Sequence, residues 1–184
     1  RLPRNVRRSA VNHDTLIRLI RAQSSPMEPR PTGTEVLIEP AGQIRAIVFD
    51  IYGTLFISGS GDSSLTLKED RSPAIVGSRS AAGFTILDMD APWSAAFMEA
   101  LEAASRERQA QGIHYPEVRI EEVWKSFTAA AKEQKWLQGD GNIEQAIVEH
   151  ECRVNPCWPM PHLDETLRQI KSRGLAMGIV SNAQ

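Results

Sequence analysis

The chain has 184 residues, of which 41% are hydrophobic, and its formal net charge at pH 7 is −2. This length fits one globular domain or a domain with an insertion, and the small charge gives no support for a nucleic-acid or membrane partner. No apolar run is long enough to cross a bilayer, and two cysteines make no disulfide framework, so a cytoplasmic location is expected.

Residues 1–43 are predicted to be a basic N-terminal extension and linker. Seven arginines in this segment are opposed by four acidic residues. Asn12 or Asp14 can cap a short amphipathic helix, whose apolar face would carry Leu16, Leu19 and Ile20. Such an Arg-rich start is compatible with a transit peptide, but also with a solvated helical extension or a partner-binding arm.

Residues 44–64 are predicted to hold a core strand, a turn and a flap. The strand covers 44–50, because a short apolar run between turn formers is typical of a strand buried on both faces of a parallel sheet. Asp50 stands at its carboxyl end and Gly53 follows in a turn. Open α/β sheets bind ligands at this edge, so Asp50 is expected at the mouth of a site.

Residues 65–158 are predicted to hold a flexible loop, over 65–88, and then a helical domain. Three amphipathic helices follow the loop: one starts near Asp90, one lies around Trp124, and one begins after Gly141. We expect residues from about 90 to 155 to form a bundle separate from the sheet. Its packing residues would be Trp93, Phe97, Trp124, Phe127 and Ile147.

Residues 159–184 are predicted to return to an α/β core. A fourth helix stops at Gly174, and the apolar run 175–180 then reads as a second buried strand. This strand ends in Ser181 and Asn182. We expect it to lie parallel and adjacent to the first strand, so that the side chains of Asp50 and Ser181 converge on one cleft.

Two segments resemble the first two motifs of the haloacid dehalogenase-like (HAD) hydrolases: Asp50-Ile51-Tyr52-Gly53-Thr54-Leu55, and the apolar run that ends in Ser181-Asn182. The resemblance implies an α/β fold with a doubly wound parallel sheet, only the first part of it present here, and an inserted α-helical cap. The family's third and fourth motifs normally follow the second. The chain stops two residues after Asn182, so we expect it to be incomplete and inactive alone.

The same resemblance implies a role for each site residue on a small-molecule substrate. Asp50 would be the nucleophile, forming a covalent intermediate. Ser181 would donate a hydrogen bond to the transferring group, and Asn182 would orient it. The backbone at Gly53 and Thr54 would bind the substrate anion. Mg²⁺ would be held by the Asp50 carboxylate and the backbone carbonyl of Tyr52.

Tyr52 leaves the reaction open. It stands where HAD phosphatases carry a second Asp that protonates the leaving group, and a phenol, with a pKa of about 10, is a poorer acid for that step. Halide leaves without a proton, and 2-haloacid dehalogenases carry D-x-Y-G-T at this site. Against that, the helical segment does not resemble their cap. The alternatives are a Mg²⁺-dependent phosphomonoesterase, a 2-haloacid dehalogenase and a non-catalytic HAD-like binding protein.

A rival candidate metal site consists of His150, Cys152, Cys157 and His162, whose side chains suit zinc. Their spacing matches no standard zinc pattern. The alternative is two buried free thiols and two surface histidines.

Overall fold

The computed structural model describes residues 12–37, 39, 42–60, 70–114 and 116–181. They form two compact units. The helical unit, the described residues within 1–23 and 69–154, contains α1 (His13–Gln23), α2 (Ser72–Ala81), β3 (Thr85–Ile86), α3 (Trp93–Ala110), α4 (Ile120–Glu133), β4 (Leu137–Gln138) and α5 (Ile143–Val154). The sheet unit, the described residues within 24–68 and 155–184, contains β1 (Ala46–Phe49), β2 (Phe56–Ser58), β5 (Cys157–Pro159), α6 (Leu163–Ser172) and β6 (Ala176–Ile179).

Strands β1 and β6 form a parallel pair, as the two apolar runs predict. Ala46 lies opposite Ala176, and Phe49 lies opposite Ile179. The amide of Val180 donates to the Phe49 carbonyl at 2.9 Å, which extends the pairing to the carboxyl ends. Helix α6 precedes β6 and is followed by Gly174 at a φ of 74°, a left-handed conformation that glycine adopts without strain. Parallel strands joined through helices agree with the predicted α/β class.

The prediction that these strands are buried on both faces is wrong for the described chain. Val48 and Ile179 are each 61% exposed. Parallel sheets bury their faces under the helices of several crossovers, whereas this sheet has two strands among the described residues. The first strand is also shorter than 44–50, since Ile44 and Arg45 lie outside β1.

The helical unit has an aromatic core, as predicted from the spacing of its large residues. Trp93, Phe97, Trp124 and Phe127 are buried in one cluster, and Ile147 packs against it. Phe97 stacks on Trp124 with ring centroids 4.0 Å apart. The helices α3, α4 and α5 therefore meet through the predicted faces. Along the described residues, none of the helices has the length and apolarity that a membrane crossing requires.

The predicted loop over 65–88 is wrong from residue 72 onward, where the chain contains α2 and β3. Residues 61–69 lie outside the described part. Helix α2 buries Ile75, Ser78 and Arg79, so two of its three buried residues are polar and its inward face shows no apolar period. Local signals for it did exist: a Pro in its first turn, and Gly83 at a φ of 88° just after its end. The short antiparallel pair of β3 and β4 was also not predicted.

Helix α1 forms as predicted, with the Asn12 side chain accepting a hydrogen bond from the amide of Asp14 at 3.1 Å. It packs against α5, although none of its residues is buried. The Gln23 side chain donates to the carboxylate of Glu149, a residue that is 7% exposed. The same carboxylate pairs with Arg153 at 3.1 Å.

Candidate active site

The turn that follows β1 is organised by one backbone carbonyl. The Ile51 carbonyl accepts hydrogen bonds from the amides of Leu55 at 2.8 Å, Phe56 at 2.9 Å and Thr54 at 3.4 Å. The Leu55 side chain is buried, whereas Asp50 is exposed. A chain that reverses tightly onto a buried leucine holds the preceding aspartate at the end of its strand, which is the position that the sequence predicts.

The turn amides already have partners inside the protein. Gly53 has a φ of 79°, and its amide donates to the Phe56 carbonyl at 2.8 Å. The Thr54 amide is the less strongly held of the two, because its hydrogen bond is 3.4 Å long. An anion at this turn would have to share or replace these hydrogen bonds. Substrate binding by Gly53 and Thr54 therefore stays a prediction.

Ser181 lies one residue further along its strand direction than Asp50. Phe49 is level with Ile179, so Asp50 is level with Val180. Strands about 4.8 Å apart with a rise of about 3.3 Å per residue place the Cα atoms of Asp50 and Ser181 roughly 6 Å apart. A regular pleat would direct the two side chains to opposite faces, but both strands end before these residues. Convergence of the side chains stays a prediction, and Asn182 lies outside the described residues.

A second strand pair anchors the turn, and sequence reasoning missed it. Strand β2 pairs antiparallel with β5, and the sequence patterns predict neither this pairing nor a strand at β5. The Met160 amide donates to the Leu55 carbonyl at 2.9 Å. The Asn155 side-chain oxygen accepts from the Ser58 hydroxyl at 2.7 Å and from the Ser60 amide at 3.3 Å. These contacts hold residues 55–60, which follow the turn, against residues 155–160.

The predicted Mg²⁺ ligands fit the ion in kind. Carboxylate and carbonyl oxygens are the hard donors that Mg²⁺ prefers, and Asp50 and Tyr52 supply one of each beside the same turn. Within the described ranges, no cluster of three or more His, Cys, Asp or Glu side chains could hold a metal. Two donors can orient an ion but do not fill an octahedral shell, so further ligands would be waters or substrate oxygens.

The alternative to a zinc site, two buried free thiols and two surface histidines, is wrong in part. His150 is 1% exposed, so it is not a surface histidine, whereas the His162 side chain is 81% exposed. Cys152 and Cys157 form no disulfide and are half-buried rather than buried. His150 and Cys152 belong to the helical unit, and the other two residues belong to the sheet unit.

The comparison with protein families agrees with the geometry at the end of β1. A family model for haloacid dehalogenase-like hydrolases matches residues 44–184. The match starts just before β1 and leaves helix α1 outside. No curated protein matches the chain. Because the match covers well over half of the sequence and includes both strand-end motifs, this chain belongs to the haloacid dehalogenase-like hydrolase family.

Proposed function

We propose that this hydrolase acts through a covalent aspartyl intermediate on a small molecule, as a Mg²⁺-dependent phosphomonoesterase. One observation carries the proposal: the register of β1 and β6 brings the segment after Phe49 beside the segment after Ile179. An exposed carboxylate at Asp50 and a hydroxyl at Ser181 then lie at the same sheet edge. Open α/β sheets place their ligands at this edge.

In the proposed reaction, an Asp50 oxygen attacks the phosphorus of a phosphate monoester, and the bond from phosphorus to the leaving oxygen breaks. Water then attacks the phosphorus of the aspartyl phosphate, releasing inorganic phosphate and the free carboxylate. The Ser181 hydroxyl donates to a non-bridging phosphoryl oxygen, and Asn182 orients that group. Mg²⁺, when bound, neutralises the charge between the carboxylate and the phosphoryl group. The helices inserted between the two motifs would act as a cap that selects the substrate and excludes water.

The leaving group should matter, because Tyr52 is the side chain next to this reaction that could supply a proton. Its side chain is 40% exposed, and a phenol is a weak general acid near neutral pH. Aryl phosphates, whose leaving groups need no proton, should therefore be hydrolysed much faster than alkyl phosphates. Tyr52→Asp should improve the hydrolysis of alkyl phosphates.

Tyr52 also favours a second candidate, the 2-haloacid dehalogenase. There Asp50 attacks the carbon that bears the halogen, the carbon–halogen bond breaks, and halide leaves without a proton. Water then hydrolyses the ester to a 2-hydroxy acid. This reaction has no phosphoryl dianion to neutralise, so it needs no Mg²⁺.

The deciding experiment is a chelator titration on both substrate classes, with the protein at its natural full length. We expect phosphate release from an aryl phosphate that a chelator abolishes and Mg²⁺ restores. Metal-independent halide release from a 2-halo acid would replace the phosphatase proposal with the dehalogenase one. Turnover of neither substrate class would favour a binding protein.

Asp50→Asn tests the nucleophile. It should abolish turnover while leaving the Tm nearly unchanged, because Asp50 is exposed at a strand end. Asp164→Asn is the matched control, since Asp164 is an exposed acid of the same unit that pairs with Arg168 at 2.8 Å. Full activity in Asp50→Asn would rule out this nucleophile.

A further inference from the structure

The charge of the chain is distributed unevenly along its length. Residues 1–23 contain six arginines and one acidic residue, which gives this segment a formal charge of +5 with His13 neutral. The whole chain has a formal charge of −2, so the rest of it carries −7. The small net charge therefore conceals a strongly basic segment on an acidic protein. Such a segment attracts anionic partners by itself, because electrostatic attraction acts on the local charge.

Helix α1, which lies in this basic segment, contacts α5 with one side. Leu16, Leu19 and Gln23 follow one another at intervals of three and four residues, so they share one side of the helix, and all three are half-buried. The Gln23 side chain donates to the carboxylate of Glu149, so this is the side that faces α5. None of the residues of α1 is fully buried. The helix therefore keeps a large exposed surface.

The exposed surface of α1 combines apolar and basic side chains. Ile17 and Ile20 are neighbours on the helix, and they are 44% and 43% exposed. Arg18 and Arg21 are exposed as well, and Arg21 lies one turn after Ile17 on the same side. The Arg18 guanidinium donates to the Thr15 hydroxyl at 3.2 Å and keeps its charge exposed. Apolar residues beside arginines are typical of helices that lie in the interface of a lipid bilayer.

The two isoleucines favour a lipid surface over the other common anionic partner, a nucleic acid. Phosphate groups of either partner attract arginines. Isoleucine gains little from a sugar–phosphate backbone, whereas it leaves water when it enters the boundary between headgroups and acyl chains. The basic character also ends with the helix, because residues 24–43 contain one arginine and three acidic residues. The attraction to an anionic surface is thus concentrated on α1 and the residues before it.

We propose that residues 1–23 are a membrane-binding arm, which places α1 on the surface of an anionic bilayer. Ile17 and Ile20 enter the headgroup region, and Arg18 and Arg21 pair with lipid phosphates. The arginines that precede the helix add to the attraction through their charge. A short helix with two apolar anchors binds reversibly, so the protein exchanges between solvent and surface. Helix α1 lies outside the residues that the family model matches, and the arm is independent of the proposed chemistry.

The test is co-sedimentation of the full-length protein with sucrose-loaded vesicles. One set contains phosphatidylcholine alone, and the other contains a roughly 7:3 mixture of phosphatidylcholine and the anionic phosphatidylglycerol. The protein should bind the mixed vesicles and stay in solution with phosphatidylcholine alone. Added NaCl should weaken the binding, because salt screens attraction between exposed charges. A DNA duplex is titrated in parallel as the nucleic-acid probe.

Two double variants separate the apolar contribution from the charge. Ile17→Ser with Ile20→Ser keeps the charge and should weaken binding to the mixed vesicles at least ~10-fold, because two partly exposed isoleucines no longer leave water. Arg18→Gln with Arg21→Gln should weaken it roughly 20-fold, since each arginine near an anionic surface contributes a factor of about five. All four side chains are at least two-fifths exposed or on the surface, so the Tm of both variants should stay near that of the wild type.

Arg106→Gln with Lys125→Gln is the matched control, because it removes two exposed cations of the same unit outside α1. It should bind the mixed vesicles as the wild type does. An equal loss in this control would mean a general charge attraction and would overturn the assignment to α1. Absence of binding to the mixed vesicles, or equal binding to both vesicle types, would overturn the membrane arm. Binding to the DNA duplex without binding to vesicles would replace it with a nucleic-acid arm.

Discussion

Gly141 lies where a single added methyl group has no space. A Cβ atom there would stand 2.7 Å from the Ala82 carbonyl oxygen and would also overlap the ring of Phe84. Neither neighbour can easily move, because Phe84 is 5% exposed and the Ala82 carbonyl accepts a hydrogen bond from the Asn142 amide at 2.8 Å. Gly141→Ala therefore forces a shift in the backbone between β4 and α5.

The expected cost follows from two opposing effects. Overpacking a well-packed site costs about 1–3 kcal/mol. Replacing Gly by Ala lowers the conformational entropy of the unfolded chain, which returns about 0.4–1 kcal/mol. We expect the free energy of unfolding to fall by about 1–2 kcal/mol, which corresponds to a Tm lower by roughly 5–10 °C for a unit of this size.

Urea unfolding followed by tryptophan fluorescence measures this change, because Trp93 and Trp124 lie in the same core. Gly77→Ala is the control in the same unit. Its Cβ would meet the Arg153 Nη1 atom at 3.3 Å, and this 39% exposed side chain has to shift by only a few tenths of an ångström. In mid-helix, Gly77→Ala should raise stability by about 0.5–1 kcal/mol. Equal stabilities for Gly141→Ala and Gly77→Ala would refute the steric argument.

Three further predictions concern the aromatic core, the pH dependence of stability and the hydrogen bond between Ser58 and Asn155. Trp124→Ala removes a fully buried ring and should lower the free energy of unfolding by about 3–5 kcal/mol in the same urea assay. Burial, and then the charges of Arg71 and Arg79, lower the pKa of His150 from 6.5 to about 4. Between these two pH values the unfolded chain therefore binds more protons than the folded protein. The free energy of unfolding should fall by about 3 kcal/mol as the pH drops from 6.5 to about 4. His150→Gln should flatten this pH dependence, and an unchanged slope would contradict it. Asn155→Ala removes the acceptor for the Ser58 hydroxyl and should cost about 1 kcal/mol by thermal unfolding of the sheet unit, whereas an unchanged Tm would mean that this hydrogen bond contributes nothing.

The candidate site shows which of its features can be predicted from local sequence patterns. A sequence can place Asp50 and Ser181 at strand ends because apolar runs and turn residues act over a few positions. Parallel pairing of the two strands fits the helix α6 that leads into the second strand, since parallel strands need a crossover connection that is usually a helix. The offset of one residue between Asp50 and Ser181 came only from the register. Register depends on which side chains are buried on each face, and that is a property of the assembled sheet.

Amino-acid sequence alone determined the two strand-end motifs, the amphipathic faces of α3, α4 and α5, and the aromatic core, because motifs and hydrophobic periodicity depend on residues only a few positions apart. Tertiary structure decided the elements whose partners lie far along the chain. Strand β2 pairs with β5, and Ser58 meets Asn155 across 97 positions. It also decided that Arg79 and His150 are buried, against their usual preference for the surface. Burial of a charged or polar side chain depends on the surfaces that close over it, and those surfaces exist only once distant helices pack together.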